Sequence, residues 1–589
     1  MKTCCIIIAR AGSKGLVDKN TTPVLGRPMI EWTLDHALAA AWAGVVDAVA
    51  VSTDGRKIAD VARARNVTVI DRPAELATDT ATVDAAVRHA VETLESQTDQ
   101  TFDAVVILYA NVPVRPDDLI GRSVAKLRET CCDSVQSLAP VGKAHPYWMK
   151  TLGGPGGDAL EPYEANAVYR RPDLPPCYQL DGGIIAVRRA ALFKAATDEQ
   201  SDEPHAFLGG DRRAVTTEAH AVVDVDEAGD LVVAEAALRR QLRGPDELRI
   251  GAHRVGAARP VFVIAELGVN HDGDADRAIE LTHAARRAGA DAIKLQCFDP
   301  DHLLSAEAEL ARYQQQSADD PRQMLRRLGL GDAAMMQVRQ VARELGLAFI
   351  VTPFGLEDRD RLARLDVDAV KIASSDCINR PLIDMAASLG RPLLISTGAA
   401  HLGEVVRAIR YAPRDRTALL QCVSSYPVPV GCAALRGINV LTDLFGGTVG
   451  YSDHTTGLLT GMLAVAAGAC IIEKHLTHDT TAAGPDHAAS LDPPALAKYI
   501  EHIRAGEAER GDLAKVVEAC EADVRRVSRQ SLCATGDLAA GSVLARANLT
   551  IKRPGTGLPA EWLDHVIGRT LKRDVKADHL LHEGDVDGF

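Results

Sequence analysis

The sequence predicts an α/β protein of several domains, with an open, mostly parallel sheet in its first half and a closed (β/α)8 barrel in its second. Three observations carry this. Between residues 261 and 474, eight short apolar runs recur at helix-plus-strand intervals. Between residues 4 and 110, four more runs alternate with helical stretches, and the first opens directly into a glycine-containing loop. Separating the two regions, QLRGPDELRIGAHRVGAARP (241–260) shows no apolar period and is rich in glycine, proline and arginine, which predicts a linker over 241–258.

In the first half, CCIIIAR (4–10) reads as a buried strand and AGSKGLVDKN (11–20) as the loop after it. Gly12 and Gly15 permit close backbone approach, while Ser13, Lys14 and Lys19 add donors. Such a loop either cradles phosphate oxygens on its amides or is an ordinary strand–helix turn. Further strands are expected at AVAVST (48–53), VTVI (67–70) and AVVILYA (104–110). Later, HAVVDVDEAGDL (220–231) puts Asp224 and Asp226 two apart on an extended segment, so both side chains face one way. They form either a magnesium pair or a solvated acidic strand end.

The barrel strands are expected at VFVIAE (261–266), AIKLQ (292–296), AFIVT (348–352), AVKIA (369–373), PLLIS (392–396), ALLQC (418–422), TVGYS (448–452) and CIIEK (470–474). Helical periodicity fills intervals such as Asp276–Ala288 and Leu382–Leu389, and the longer gap after Gln296 predicts extra helices. A barrel of this kind carries its active site at the C-terminal strand ends. There the chain places Glu266, Lys294 with Gln296, Thr352, Lys371 with Ser374, Ser396, Ser424 with Tyr426, Ser452 with His454, and Glu473 with His475. Two lysines among several hydroxyls suit an anionic, phosphate-bearing substrate. His454 and His475 on neighbouring strands suit a divalent transition metal that polarises a carbonyl, although a pair of histidines is also compatible with a structural role.

Composition sets outer bounds. The 589 residues exceed a single domain, and 47% hydrophobic content with only 4% aromatic predicts aliphatic cores. A net charge of −14 argues against a nucleic-acid or anionic-membrane surface, so phosphate binding must rest on local cationic clusters. Twelve cysteines without a repeated metal spacing read as buried, reduced thiols. The opening MKTCCIIIAR is too short in its apolar run for a signal peptide, and Leu458–Ile472 falls short of a spanning helix and reads instead as helix seven entering strand eight. These features predict a cytoplasmic protein.

A family resemblance rests on AELGVNHDGD (265–274), IKLQ (293–296), VTPF (351–354), KIASSD (371–376), STG (396–398), YSDHTTG (451–457), EKH (473–475) and GPDH (484–487). These motifs resemble sialic acid synthase and, more broadly, the nonulosonate synthases that condense phosphoenolpyruvate with a six-carbon amino sugar. ATGDLAAGSVLARANLTIKRPGTGL (534–558) resembles the small antifreeze-like (SAF) β-clip domain attached to those synthases. The resemblance implies a TIM barrel over 259–510, a connector over 511–528 and the SAF domain over 529–589. It assigns Lys294, Lys371, Ser374, Ser396 and Ser452 to phosphoenolpyruvate, with Gln296, Thr352, Gly398, Ser424, Tyr426 and Asp376 lining the substrate space. Asn270 and Asp486 would meet sugar hydroxyls, Glu266 the water or developing cation, and His454 and His475 a Mn²⁺ or other divalent ion. Arg553, in KRPG, matches the arginine that reaches a partner's active site, implying a homodimer or higher assembly with exchanged SAF domains. Asp376 stands where glutamate is common and Ser424 where asparagine occurs in some members, and both changes bear on the choice of sugar.

A second resemblance covers residues 1–240. IIARAGSKGLVDKN (7–20), STDG (52–55), DRPAELATDTA (71–81), RRPDLP (170–175) and VDVDEAGDL (223–231) resemble the cytidylyltransferases that activate sialic acid, with a Rossmann-like nucleotidyltransferase sheet. It implies that Arg10, Gly12, Ser13, Lys14 and Lys19 hold the CTP triphosphate and that Arg72, Asn111 and Arg115 complete the nucleotide site. Asp224 and Asp226 would hold Mg²⁺, with Asp226 also drawing off the attacking hydroxyl's proton. Arg171, Gln179 and Asp181 would receive the sugar. YANVPVRP (109–116) departs from the glutamine-rich family segment, and Asp181–Gly182 replaces asparagine–glycine. Together the resemblances imply a bifunctional enzyme that makes a nine-carbon 2-keto sugar acid from phosphoenolpyruvate and an N-acetylmannosamine-like hexose, then transfers CMP to it from CTP. Two other readings stay open: a synthase for a shorter ulosonate, which the SAF-like tail disfavours, and an N-terminal domain that binds nucleotide only to regulate the synthase.

Overall fold

The computed structural model describes residues 1–12, 15–194, 205–308, 320–429, 431–511 and 514–588. The chain forms two compact units, Met1–Glu509 and Arg510–Phe589.

In the first unit a seven-stranded sheet runs, edge to edge, through Arg212–Thr216, Ser134–Pro140, Tyr178–Arg188, Ala104–Tyr109, Thr3–Ile8, Ala48–Thr53 and Thr68–Asp71. All neighbours are parallel except Tyr178–Arg188, which is antiparallel to both of its partners. Central strands of such a sheet are covered on both faces and therefore read as continuous apolar runs. Accordingly Cys5 and Ile7 join the core on one face, and Cys4 and Ile6 the core on the other.

The barrel closes from Phe262–Gly268 through Ala292–Cys297, Ala348–Pro353, Ala369–Ile372, Leu393–Ser396, Thr417–Cys422, Val449–Asp453 and Ile471–His475. The last strand returns to the first in parallel, with Phe262 opposite Ile471 and Glu266 opposite His475. All eight expected runs become strands. Helices Pro300–Leu303 and Pro321–Leu328 occupy the long gap after strand two.

The 241–260 stretch departs from the expected linker. Glu247–Ile250 and His253–Gly256 pair as an antiparallel hairpin. Leu248, Ile250 and Val255 bury against Phe262, Ile264, Ile350, Leu394, Leu420 and Ile471, so the hairpin plugs the N-terminal end of the barrel. Only three apolar residues flanking a Gly251–Ala252 turn do this, too few to produce a readable period.

The elements flanking the open sheet share one interior with the barrel helices. Val24, Met29, Trp32, Leu238 and Leu242 belong to the same buried cluster as Val406, Ile409, Leu441 and Phe445 of the barrel helices. Gly244 lies so close to the Phe445 ring that a Cβ there would sit 2.1 Å from it. The buried Trp32 indole has the Arg27 guanidinium 4.5 Å from its centre and that of Arg410, from barrel helix Leu402–Tyr411, at 5.6 Å. Asp35 accepts from Arg27 at 2.9 Å and Arg65 at 2.7 Å, and Arg239 pairs with Asp443 at 2.9 Å.

The second unit packs hairpin Ser531–Ala534 with Leu549–Lys552 around Leu532, Leu544, Leu558, Val566, Leu571 and Leu581. Bridges between Leu538 and Val575, Val543 and Thr570, and Leu571 and Val586 complete its β-rich fold. The twelve cysteines stand as thiols, and the expectation of burial fails at Cys131, Cys432 and Cys520, which are exposed, and in part at the half-buried Cys177. Among the described residues no helix is long and apolar enough to cross a membrane.

Candidate active sites

The barrel strand ends enclose a cavity of about 630 Å³. At its floor, Lys294 Nζ lies 2.7 Å from Glu473 Oε2 and 3.2 Å from Glu266 Oε2. Ser452 Oγ donates to Glu473 Oε1 at 2.7 Å, and Gln296 Nε2 donates to Glu266 Oε1 at 3.3 Å. Lys371 Nζ donates to the Ile372 carbonyl at 2.9 Å. Burial opposes ionisation of Glu473, but Lys294, Lys371 and the Ser452 hydroxyl together hold its carboxyl below the usual range. For Glu266 burial wins, and the Glu473 charge helps to raise it despite Lys294. Burial brings Lys371 down to about 8, partly offset by Glu473. A floor of two ammoniums, one firm carboxylate and one readily protonated carboxyl favours an anion above it.

Thr352 Oγ1 and Ser396 Oγ, both lining the cavity, are buried without a hydrogen-bond partner. Such hydroxyls are costly to leave unsatisfied, and a bound ligand's oxygens would satisfy them. Ser374 Oγ accepts from the Gly398 amide at 3.1 Å. Gly398 serves by lacking a side chain: a Cβ there would stand 2.4 Å from Ser424 Oγ.

His454 and His475 face each other with ring centres 5.3 Å apart, and Tyr426 lies 4.2 Å from the His454 ring. His454 Nδ1 is 3.1 Å from the Val423 carbonyl and 3.7 Å from Cys422 Sγ. Burial opposes a proton on His454, yet Cys422 and Val423 raise its pKa above the ordinary value. Burial, reinforced by the charge of His454, keeps His475 neutral. His475 Nδ1 is buried without a hydrogen-bond partner, 3.7 Å from Asp486 Oδ2. Among the described residues no group of three or more His, Cys, Asp or Glu side chains is placed to hold a metal. The donor set is therefore two imidazoles, which suits an ion that completes its shell with substrate and water oxygens.

Asp376 and Asp486 also line the cavity; burial raises Asp486 to about 6, partly offset by His454 and Lys294. Asn270 lies beneath the cavity rather than on its surface. It is fully buried and does not line the cavity; its Nδ2 donates to the Leu476 carbonyl at 2.9 Å and Ser490 Oγ at 2.8 Å, which braces the chain leaving strand eight, while its Oδ1 has no hydrogen-bond partner. Sequence reasoning put Glu473 at the end of strand eight without giving it a role and left Cys422 out of the site. Strand alternation sets Glu473 on the face of His475, while Lys474 points outward to Asp453.

In the transferase half, Arg10, Gly12, Lys19, Arg72, Tyr109 and Asn111 line a cleft of about 300 Å³. The segment around the paired aspartates is a single bridge, Val223 to Val114, instead of an extended strand. The carboxylates still converge: Asn111 Nδ2 donates to Asp224 Oδ1 at 2.5 Å and Asp226 Oδ1 at 3.5 Å, and Lys19 Nζ lies 2.7 Å from Asp226 Oδ1. Burial and the Asp226 charge raise Asp224 to about 6, partly offset by Lys19, a strain that a dication between them would relieve. Gly15 packs its backbone on Asp226, where a Cβ would stand 2.5 Å from the carbonyl oxygen. Arg10 pairs with Asp79 at 2.6 Å, and Arg72 donates to the Ser52 carbonyl at 2.7 Å.

Other transferase expectations change. Arg115, expected at the nucleotide, is 1% exposed and donates to the Tyr109 and Gly183 carbonyls at 2.8 and 2.7 Å and to Thr33 at 2.9 Å. It staples strand ends together. Arg171, Gln179 and Asp181 do not gather at the cleft. Arg171 lines a separate recess of about 200 Å³ with His145 and Tyr178, Gln179 is exposed, and Asp181 accepts from Thr217 at 2.7 Å and the Gly183 amide at 2.9 Å. Ser13 and Lys14 lie outside the described residues. Arg553 is exposed within the second unit.

Comparison with known families matches residues 4–175 to a cytidylyltransferase model, 281–515 to the NeuB family and 529–587 to the SAF domain. An uncharacterised protein of Methanocaldococcus jannaschii is 35% identical over 58% of this chain and 99% of its own length. An N,N'-diacetyllegionaminic acid synthase of Legionella pneumophila is 37% identical over 55% of this chain and 94% of its own. The crystal structure of a sialic acid synthetase from Leptospira borgpetersenii is 30% identical, covering 48% of this chain and 96% of that one with a TM-score of 0.43.

Proposed function

For a chain that belongs to the NeuB family, with a cytidylyltransferase domain before it and an SAF domain after it, we propose two consecutive reactions on one polypeptide. The barrel condenses phosphoenolpyruvate with the open-chain aldehyde of an amino hexose, and the N-terminal domain transfers CMP from CTP to the resulting nonulosonate. The barrel floor is the observation that carries this. Two ammoniums and the unpartnered Thr352 and Ser396 hydroxyls face one space beside two imidazoles.

Phosphoenolpyruvate is held by Lys294, Lys371, Ser374, Ser396 and Ser452. Its C3 forms the new bond to the aldehyde carbon, whose oxygen takes up a proton. Water adds to the cationic C2 and gives up one proton, and as the C2–O bond to phosphate breaks the remaining hydroxyl proton leaves with the phosphate, giving a 2-keto acid. Glu266, raised by burial, is suited to carry one of these protons near neutral pH. A divalent ion on His454 and His475 would, when bound, polarise the aldehyde. In the cleft, Arg10 and Lys19 offset phosphate charge, and the product's anomeric hydroxyl attacks the α-phosphorus as pyrophosphate leaves. Mg²⁺ on Asp224 and Asp226 would supply further charge neutralisation.

Incubation of the full chain with phosphoenolpyruvate, CTP, Mg²⁺, Mn²⁺ and amino hexoses should yield a CMP-sugar by mass spectrometry. Pyrophosphate release without a CMP-sugar would defeat the transfer step. His475→Ala should abolish phosphate release while sparing CMP transfer to supplied nonulosonate. The displacement of Arg171, Gln179 and Asp181 from the cleft favours a second reading, a regulatory nucleotide site. CTP binding with no transfer to any nonulosonate would establish it.

A further inference from the structure

Strands Val449–Asp453 and Ile471–His475 turn their side chains alternately into and out of the barrel. Ser452, His454, Glu473 and His475 line the cavity, whereas Asp453 and Lys474 point the other way and are completely buried. The condensation gives these two no part. A buried ion pair also adds little net stability over apolar side chains of the same size. An ammonium kept behind the barrel wall therefore needs another reason.

Its contacts supply one. Lys474 Nζ lies 3.5 Å from Asp453 Oδ2 and donates to the carbonyls of Asp453, at 3.4 Å, and Thr455. Those two carbonyls flank His454. Asp453 is held in turn, its Oδ2 accepting from the Tyr499 hydroxyl at 2.7 Å and its Oδ1 from the Thr455 amide at 2.9 Å. Tyr499 comes from helix Pro493–Arg510 and is itself fully buried. Gly461 makes room for it, since a Cβ there would stand 2.5 Å from the phenol.

The position of this clamp matters. Backbone pairing between the two strands ends with Asp453 opposite Lys474, one residue short of both imidazoles. His454 has a side-chain anchor in the Val423 carbonyl, 3.1 Å from its Nδ1, whereas His475 Nδ1 is buried without a hydrogen-bond partner. The 5.3 Å between the ring centres thus depends on the backbones that carry them. Lys474 ties the chain on both sides of His454 to the residue just before His475.

Resting on the reading of His454 and His475 as ligands of a divalent ion, we propose that Lys474, Asp453 and Tyr499 are positioning residues that set the spacing of the two imidazoles from behind the barrel wall. None of the three lines the cavity. A site with only two protein ligands tolerates little error in their separation, and loss of the groups that orient metal ligands commonly weakens affinity by roughly 10- to 100-fold.

The test titrates Mn²⁺ onto the full chain without substrates, read by electron paramagnetic resonance. The barrel site is the portion of binding that His475→Ala removes. Tyr499→Phe, which keeps the ring, and Lys474→Met, which keeps the length, should each weaken that site by about tenfold or more. Ile250→Ala, a destabilising change at the opposite end of the barrel, should leave it unaltered. Phosphate release by Tyr499→Phe should return toward the wild-type rate as Mn²⁺ is raised, a rescue that a merely loosened fold would not show. Wild-type affinity in either variant that folds, or equal weakening by Ile250→Ala, overturns the inference and leaves the synthase reading intact. Mn²⁺ binding that His475→Ala does not reduce overturns both the metal assignment and the clamp.

Discussion

Glu473 shows how one side chain sets the chemistry of its neighbours. It binds Lys294 and Ser452 at 2.7 Å each and helps keep Lys371 charged. Removing one partner of a buried ion pair commonly costs about 3–5 kcal/mol, because the other charge is left without compensation. Glu473→Gln should therefore lower stability by about 3 kcal/mol in urea unfolding and reduce phosphate release at least tenfold. Lys371, brought down to about 8, gives a pH dependence of definite sign. Below that value it is an ammonium and attracts the phosphoenolpyruvate anion; above it the charge is lost. KM for phosphoenolpyruvate should rise with pH above about 8, by no more than about tenfold per unit, and Lys371→Arg should remove the inflection. At Arg115 the identity of the residue was legible and its role was not. An arginine after the central strand looks like a phosphate ligand until its carbonyl and hydroxyl partners, Tyr109, Val112, Gly183 and Thr33, are seen. Arg115→Met should destabilise the domain by about 2–4 kcal/mol, each freed buried acceptor costing about 1–3 kcal/mol, as thermal unfolding would report.

Elements differ in legibility for a physical reason. The barrel strands are covered on both faces, so each is a contiguous apolar run, and all eight were readable within a residue or two. The hairpin at the barrel's base contributes only Leu248, Ile250 and Val255, and its polar remainder lies outside. It passed for a connector because burial there depends on what lies above it, which no local pattern records. Ile250→Ala should cost about 2–5 kcal/mol, whereas Arg249→Ala on the exposed side should stay within about 0.5 kcal/mol. Equal effects in chemical denaturation would show that the hairpin does not seal the barrel. Phe298, Leu325 and Phe354, which also line the barrel cavity, were similarly hidden, since they come from separate stretches after strands two and three.

At the scale of the molecule, the order of three domains was legible from motifs, but the contact between the first two was not. Trp32 and Arg410 lie far apart in sequence and carry no motif, yet they meet where helix Met29–Trp42 packs on barrel helix Leu402–Tyr411. A proposal at this scale concerns the SAF domain, for which the Arg553 resemblance implies exchange between subunits. Mixing His454→Ala with Arg553→Ala chains should restore part of the synthase activity that each homodimer lacks; proven heterodimers with none would remove the idea. The joint interior of transferase and synthase has a consequence for ancestry. Recombination at the short peptide joining them could not import a foreign transferase by itself, because the newcomer would have to bring a tryptophan, an acidic side chain and small backbone positions shaped to this particular flank. The two catalysts are thereby bound to a common inheritance, each drifting only as far as the other's surface permits.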